Sequence, residues 1–231
     1  MPLNANALLI DPGDWEPVLK YKQRGGKIQT MVCITVFDDP VKTADQIKHL
    51  VDKGATLLYT HGEMTDRHTM AGQIDVIGHI MDLIKAQGIP AGIGSHSLET
   101  PIAAEKAKLN NDFYVKTFHM DRYWSATAKQ NREEWCWYKG FSEEIGHFHD
   151  NMWCLDADEV AGFMKTVAKP WIAFKILAAG AIPPAQAFPH AFKNGADFVA
   201  VGMFDFQVKA NCHLLEQAVK RHQKRERPWR A

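Results

Sequence analysis

Cysteine is scarce in this chain: Cys33, Cys136, Cys154 and Cys212 are its four among 231 residues, with no CxxC pair and no regular spacing. That argues against a disulfide-stapled scaffold and leaves free thiols as the expectation, with Cys33 and Cys212 in apolar periodic segments that read as core. Net charge is also missing, because Lys plus Arg and Asp plus Glu both number 27. Nothing in the overall balance draws the chain to nucleic acid, an acidic polymer or a membrane surface. No apolar run approaches the roughly 20 residues of a membrane helix. Met1 to Trp15 lacks a basic segment followed by an apolar one. The expectation is a cytoplasmic protein with a small-molecule substrate, no nucleic acid and no membrane. The basic run Lys220 to Arg227 reads as a solvated helix end whose cations complement the helix dipole.

What is present is alternation. Six short apolar runs, Gln29 to Phe37, Ala55 to His61, Pro90 to His96, Asp112 to Phe118, Pro170 to Leu177 and Ala196 to Gly202, are each bounded by Gly, Pro or Asp. They read as strands buried on both faces. The segments between and after them, Thr43 to Lys53, His68 to Gln87, Thr100 to Leu109, Asp158 to Val167, Pro184 to Lys193 and Gln207 to Lys220, carry apolar residues at helical spacing. Strands alternating with helical crossovers imply a parallel sheet. An open doubly wound sheet advertises a glycine-rich turn after its first strand, whereas here the first run leads into Phe37-Asp38-Asp39-Pro40. The fold expected is therefore α/β, a parallel (β/α) barrel resembling the TIM barrel, in one domain over residues 1–231.

A full barrel has eight strands, and six βα units are clear. Ala7 to Ile10 and then Asp14 to Tyr21 have room for one irregular strand and a short helix. The chain then reads as a shortened barrel, a piece of a longer one, or a subunit whose open side another copy covers. Exposed sheet edges favour self-association into a homo-oligomer.

The stretch from His119 to Cys154 is far longer than the roughly 12 to 15 residues beyond which a loop in a compact domain is usually functional or disordered. It holds Trp124, Trp135, Trp137 and Trp153 with Tyr123, Tyr138, Phe141 and Phe148, too aromatic for disorder. Residues 119–156 are expected to form an aromatic lid at the strand C-terminal ends or, equally, a structural cap or subunit contact.

Barrel chemistry sits where strands end, and the strand ends here are polar. His61 and Glu63 share a face of an extended chain, and neighbouring strands bring His96 and His119 alongside. Such a set suits a divalent metal (Zn, Mn, Fe or Co) with an open position for substrate or water. A lone histidine at such a place is more often a substrate contact or a satisfied structural group. His147 and His149 with Asp150 form a second, weaker pattern of this kind. Lys116 and Lys175 fall inside apolar strand runs, where an ammonium is costly unless paired or deprotonated. Two lysines facing one interior would lower each other's pKa, as a Schiff-base lysine requires; alternatively each reaches the barrel mouth or pairs with a carboxylate such as Glu63. Trp124, Trp135, Trp137, Asp121 and Asp205 are the candidate substrate contacts.

Asp112-Phe113-Tyr114-Val115-Lys116-Thr117 resembles the Schiff-base strand of class I deoxyribose-phosphate-type aldolases. Phe174-Lys175-Ile176-Leu177-Ala178-Ala179-Gly180-Ala181-Ile182 and Gly195-Ala196-Asp197-Phe198-Val199-Ala200-Val201-Gly202 are similar to that family's next two strands. The resemblance covers the last strands of the chain and implies a barrel, carbonyl chemistry and an imine-forming role for Lys116. The chain departs from the pattern in its Gly180-Ala181 pair, its long aromatic loop and its histidines. Met203-Phe204-Asp205 also stands where a phosphate-binding barrel offers small residues with free backbone N–H groups.

The leading expectation is a lyase or isomerase acting on a small polyhydroxylated or carbonyl compound. A metal at His61, Glu63, His96 and His119 would polarise the carbonyl, and Lys116 or Lys175, with Glu63, would serve as base or electrostatic partner to the enolate. The alternatives are a metal-free class I aldolase using Lys116, a metal-dependent hydrolase, and a non-catalytic barrel subunit whose aromatics form an interface.

Overall fold

The computed structural model describes residues 5–230. Seven parallel strands run in chain order through one sheet: β1 (Ala7–Ile10), β2 (Gln29–Ile34), β3 (Leu57–Thr60), β4 (Ala91–Ser95), β5 (Phe113–Thr117), β6 (Trp171–Phe174) and β7 (Phe198–Ala200). Helices α1 (Trp15–Gln23), α2 (Pro40–Asp52), α3 (Gly62–Met70), α4 (Ile74–Lys85), α5 (Glu99–Lys106), α6 (Ala157–Thr166), α7 (Pro184–Lys193) and α8 (Asp205–Arg221) alternate with them. This is the expected (β/α)-barrel fold, and β1 followed by α1 is the irregular strand and short helix foreseen in the N-terminal segment.

The chain divides into two compact units: Met1–Ser95 with Glu99–Val115, and His96–Leu98 with Lys116–Ala231. In the first, β1 to β3 pair in parallel, with Ile10 opposite Val32 and Cys33 opposite Tyr59. Period-two alternation sorts their side chains. Thr30, Val32, Ile34, Leu58 and Thr60 face the helices, as Thr30 Oγ1 donating to Gly54 O (3.2 Å) and Thr65 Oγ1 of α3 donating to Thr60 Oγ1 (2.8 Å) show. Met31, Cys33, Leu57 and Tyr59 take the other side. Helix α4 buries Ile77, Ile80, Met81 and Ile84, the i, i+3, i+4, i+7 stripe of an amphipathic helix. The segment read as one helix over His68 to Gln87 is two, because Gly72 at φ +72° ends α3. Backbone of that kind is cheap only for glycine.

In the second unit, α7 buries Ala187, Phe188, Ala191 and Phe192, and β6 pairs β7 with Ile172 opposite Phe198. One device recurs where strands begin. The residue before an odd-numbered strand accepts, through its side chain, the N–H of a residue in the preceding strand. Thr56 Oγ1 takes Thr30 N (3.1 Å), Asp112 Oδ2 takes Ala91 N (2.9 Å), and Asp197 Oδ2 takes Trp171 N (2.9 Å). Each pins the start of one strand to its neighbour and so helps set their register.

The basic C-terminal run is solvated only in part: Lys220 and Arg221 are exposed in the last turn of α8, as expected, and Lys224 is exposed beyond it, but Arg225 and Arg227 are not. Arg225 and Arg227 both bind the Asp197 carboxylate, at 2.7 and 2.6 Å. Arg227, with no exposed side-chain surface, also donates to the carbonyls of Met164, Gly195, Val167 and Lys169. The tail folds back over the α7–β7 junction because a buried carboxylate there demands cationic partners. Among the described residues no helix is long and apolar enough to cross a membrane.

Candidate active site

Strand β5 shows how the sequence builds and restricts the site. Tyr114 faces the helical layer, since its hydroxyl donates to Glu105 of α5 (2.7 Å). Phe113 faces the other way, its ring filling the space a side chain at Gly92 would need. Alternation therefore puts Lys116 on the Tyr114 side and Thr117 on the Phe113 side. Lys116 is 1% exposed, and its Nζ donates to His96 O (2.7 Å), Thr117 O (3.0 Å) and Thr117 Oγ1 (3.0 Å). Three oxygens match the three N–H bonds of an ammonium. The structure gives Lys116 the surroundings of a structural cation, on the side of β5 that Tyr114 takes.

His119 is likewise fully engaged. Nδ1 donates to Met120 O (2.9 Å), and Nε2 accepts from Trp153 N (3.1 Å) and Cys154 N (3.0 Å). No lone pair remains for a metal. Burial, with the Lys116 charge adding to it, lowers its pKa to about 4 against the pull of the Met120 carbonyl, so the ring is neutral near pH 7.

Of the other proposed ligands, His61 is the residue preceding α3 and has a buried Nδ1 without a hydrogen-bond partner. Glu63 lies in the first turn of α3, 3.3 Å from Arg67. Those two belong to the first unit, His96 and His119 to the second. Among the described residues, no group of three or more His, Cys, Asp or Glu side chains is arranged to hold a metal ion. His147 binds Glu144 (2.9 Å) while His149 is buried against Phe141, so the second histidine pattern is divided between different partners.

What the second unit does bring together is His96, Phe174, Trp137, Trp153 and Lys175. The His96 ring is 8% exposed, with centroids of Trp137 and Phe174 at 5.7 and 5.6 Å. Beside it Ser97 Oγ donates to Glu134 Oε1 (3.3 Å). Trp135 packs on Trp137 (5.5 Å), and the Trp137 indole N–H is buried with no acceptor. Lys175 follows β6 directly, half-buried, with Nζ 4.0 Å from the centroid of the Trp153 ring. Its φ is +56°, and Ala178 (+44°) and Ala179 (+52°) repeat that conformation in the same turn.

The loop 119–156 is folded and contains two short 3-10 turns, Lys129–Asn131 and Cys136–Tyr138. Arg132 organises it, binding Asp121 Oδ2 (2.7 Å), Asp121 O, Thr127 O and Leu155 O. Burial alone would raise the Asp121 carboxyl pKa, but the guanidinium holds it below the ordinary value. Asp121 is thus a staple of the loop. Trp124 stands 80% exposed. Asp205 is exposed in the first turn of α8, its carboxylate accepting Phe206 N (2.8 Å). Of the proposed substrate contacts, Trp135 and Trp137 join the cluster. Ser97, Glu134 and Phe174 were not among the site candidates, whereas Trp153 was one of the aromatics of the expected lid. Phe174 and Trp153 stand at a strand end and at the loop's return, so their place in the chain was the available signal.

No protein-family model matches this chain, and no curated protein matches it in sequence. Solved structures match it in fold. Mandelate oxidase with 3,3-difluoro-2-hydroxy-3-phenylpropionic acid aligns over 93% of this chain and 63% of its own length, with a TM-score of 0.55 and 12% identity. Mandelate oxidase with (S)-2-phenylpropionate gives the same coverage and score at 13% identity. This chain therefore spans less than two thirds of the length of that enzyme. The likeness supports the barrel that the aldolase resemblance implies, and lends no support to the aldolase assignment itself.

Proposed function

We propose that this chain is a (β/α)-barrel enzyme, a lyase or isomerase, that moves a proton on a small carbonyl or hydroxy compound through an enolate. Lys175 receives the substrate oxygen on which negative charge develops, and His96 is the acid–base group. The observation that carries the reading is the setting of Lys175. A non-glycine residue in left-handed backbone costs on the order of 1–3 kcal/mol, and such strain gathers at functional sites. Here three residues of one turn adopt it, directly after a strand C-terminus, where barrel enzymes keep their reactive groups. A cation over an indole face is held in place by the negative face of the ring. The aromatic walls around His96 lower the local dielectric, which strengthens the field of Lys175 at a developing oxyanion. Both oxidase neighbours carry small carboxylic acids, which supports a carbonyl or carboxylate oxygen as the group received here.

The test is hydrogen exchange in D₂O, followed by NMR over a panel of 2-oxo acids, 2-hydroxy acids, aldoses and ketoses. The expected result is C–H to C–D exchange on one member, lowered by a factor of about 100 or more in Lys175→Met and His96→Asn. Undiminished exchange in both variants overturns the reading. So does a stoichiometric metal, found by elemental mass spectrometry, that His61→Ala and His96→Ala both lose together with activity.

A further inference from the structure

We infer that His119 is a positioning residue, a double acceptor that fixes the return of the loop at Trp153 and Cys154 and thereby sets the indole face against Lys175. This inference rests on the reading of Lys175 as the working cation. Two successive backbone N–H groups, of Trp153 and Cys154, converge on the single nitrogen Nε2. That arrangement needs Nε2 unprotonated, and the Nδ1–H bond to Met120 O selects the tautomer that leaves it so. Two residues earlier, Thr117 Oγ1 donates to Trp153 O (2.8 Å). Both polar groups of the Trp153 backbone are thus held by residues at the end of β5. The His119 ring meets Tyr123 edge-on (5.5 Å), and Tyr123 Oη donates to Asn151 O (2.9 Å). With Met152 N donating to His149 O (3.2 Å), segment 151–154 is anchored at each of its four residues through backbone groups. Its side chains can then be chosen for what they face, and Trp153 faces Lys175.

The experiment compares three proteins: wild type, His119→Gln, whose amide oxygen can accept both N–H bonds, and His119→Phe, which keeps a ring without an acceptor. Lysine-directed trinitrophenylation, mapped by mass spectrometry, gives the labelling rate of Lys175 in each folded protein. Loss of the indole contact should raise that rate about tenfold in His119→Phe. His119→Gln should stay within about threefold of wild type, because the acceptor survives. An unchanged rate in His119→Phe overturns the inference, and so does an equal rise in both variants, which would assign the effect to ring packing. For the case that His119→Phe does not fold, ¹⁵N NMR of the wild-type histidines is decisive. The Nδ1–H tautomer at His119 is expected, and the Nε2–H tautomer or a metal-shifted resonance overturns the inference. Labelling does not require turnover. If Lys175→Met retains full exchange activity while labelling still follows His119, the functional reading fails and the positioning stands.

Discussion

Replacing Arg227 with methionine removes the centre of the C-terminal latch and leaves its acceptors buried. The guanidinium has no exposed surface and serves Asp197 Oδ2 together with four carbonyls. After the substitution Asp197 keeps Arg225 and the backbone N–H groups of Trp171 and Arg230, so the carboxylate stays partly satisfied. The carbonyls of Met164, Gly195, Val167 and Lys169 lose this donor. Breaking a buried ion pair by removing one partner costs roughly 3–5 kcal/mol. A chain of this size loses about 2–4 °C of melting temperature per kcal/mol, so the midpoint should fall by roughly 6 to 20 °C. The assay is thermal unfolding followed by circular dichroism at low and at high salt. The fall should be nearly the same at both, because a fully buried pair is little screened. A midpoint within about 2 °C of wild type, or a difference that salt abolishes, would refute the account of the tail as a buried latch.

Three further outcomes follow from the same physics. Gly195→Ala puts a side chain on backbone at φ +106° and within 2.9 Å of the Arg227 chain; calorimetry should show a loss of more than about 1 kcal/mol. Acid stability should depend on His119, which has Lys116, His190 and Asp121 as charged or titratable neighbours. Its pKa is about 4 folded against 6.5 unfolded, so the unfolded chain binds more protons between those values. Stability is fully present above pH 6.5 and falls towards pH 4, by about 3 kcal/mol in all. In denaturant titrations His119→Gln should lack that component. All four thiols are free and buried, and burial pushes Cys33 up to about 12. An aromatic disulfide reagent should therefore titrate none in the native protein at pH 8 and all four in denaturant.

The barrel was legible because each of its signals is local. Six apolar runs contain β2 to β7, and Ala7 to Ile10 is β1. The break at Gly72 was hidden by the apolar periodicity that continues past it in α4. The buried tail was hidden because a run of arginines looks the same whether it meets water or Asp197. For the site, sequence placed Lys175, His96, Trp135 and Trp137 among the candidates and gave Lys116 and His119 equal standing with them. What separates them lies in the alternation along β5 and in the hydrogen bonds at 119. Lys116 shares a side with Tyr114, which only the Glu105 contact identifies as the helical side. His119 is consumed by backbone groups of residues far along the chain. The strain at Lys175, Ala178 and Ala179 was also beyond reach, because lysine and alanine ordinarily read as helix formers.

The two lysines give the most direct test of where the chemistry resides. Lys116→Met and Lys175→Met should each be measured for thermal midpoint and for C–H exchange of the responding compound in D₂O. The account predicts that Lys175→Met melts close to wild type and exchanges at least about 100 times more slowly, whereas Lys116→Met is destabilised by the loss of a buried, fully bonded ammonium. A Lys175→Met protein that exchanges at the wild-type rate, beside a stable and inactive Lys116→Met, would contradict it and return the reactive role to Lys116.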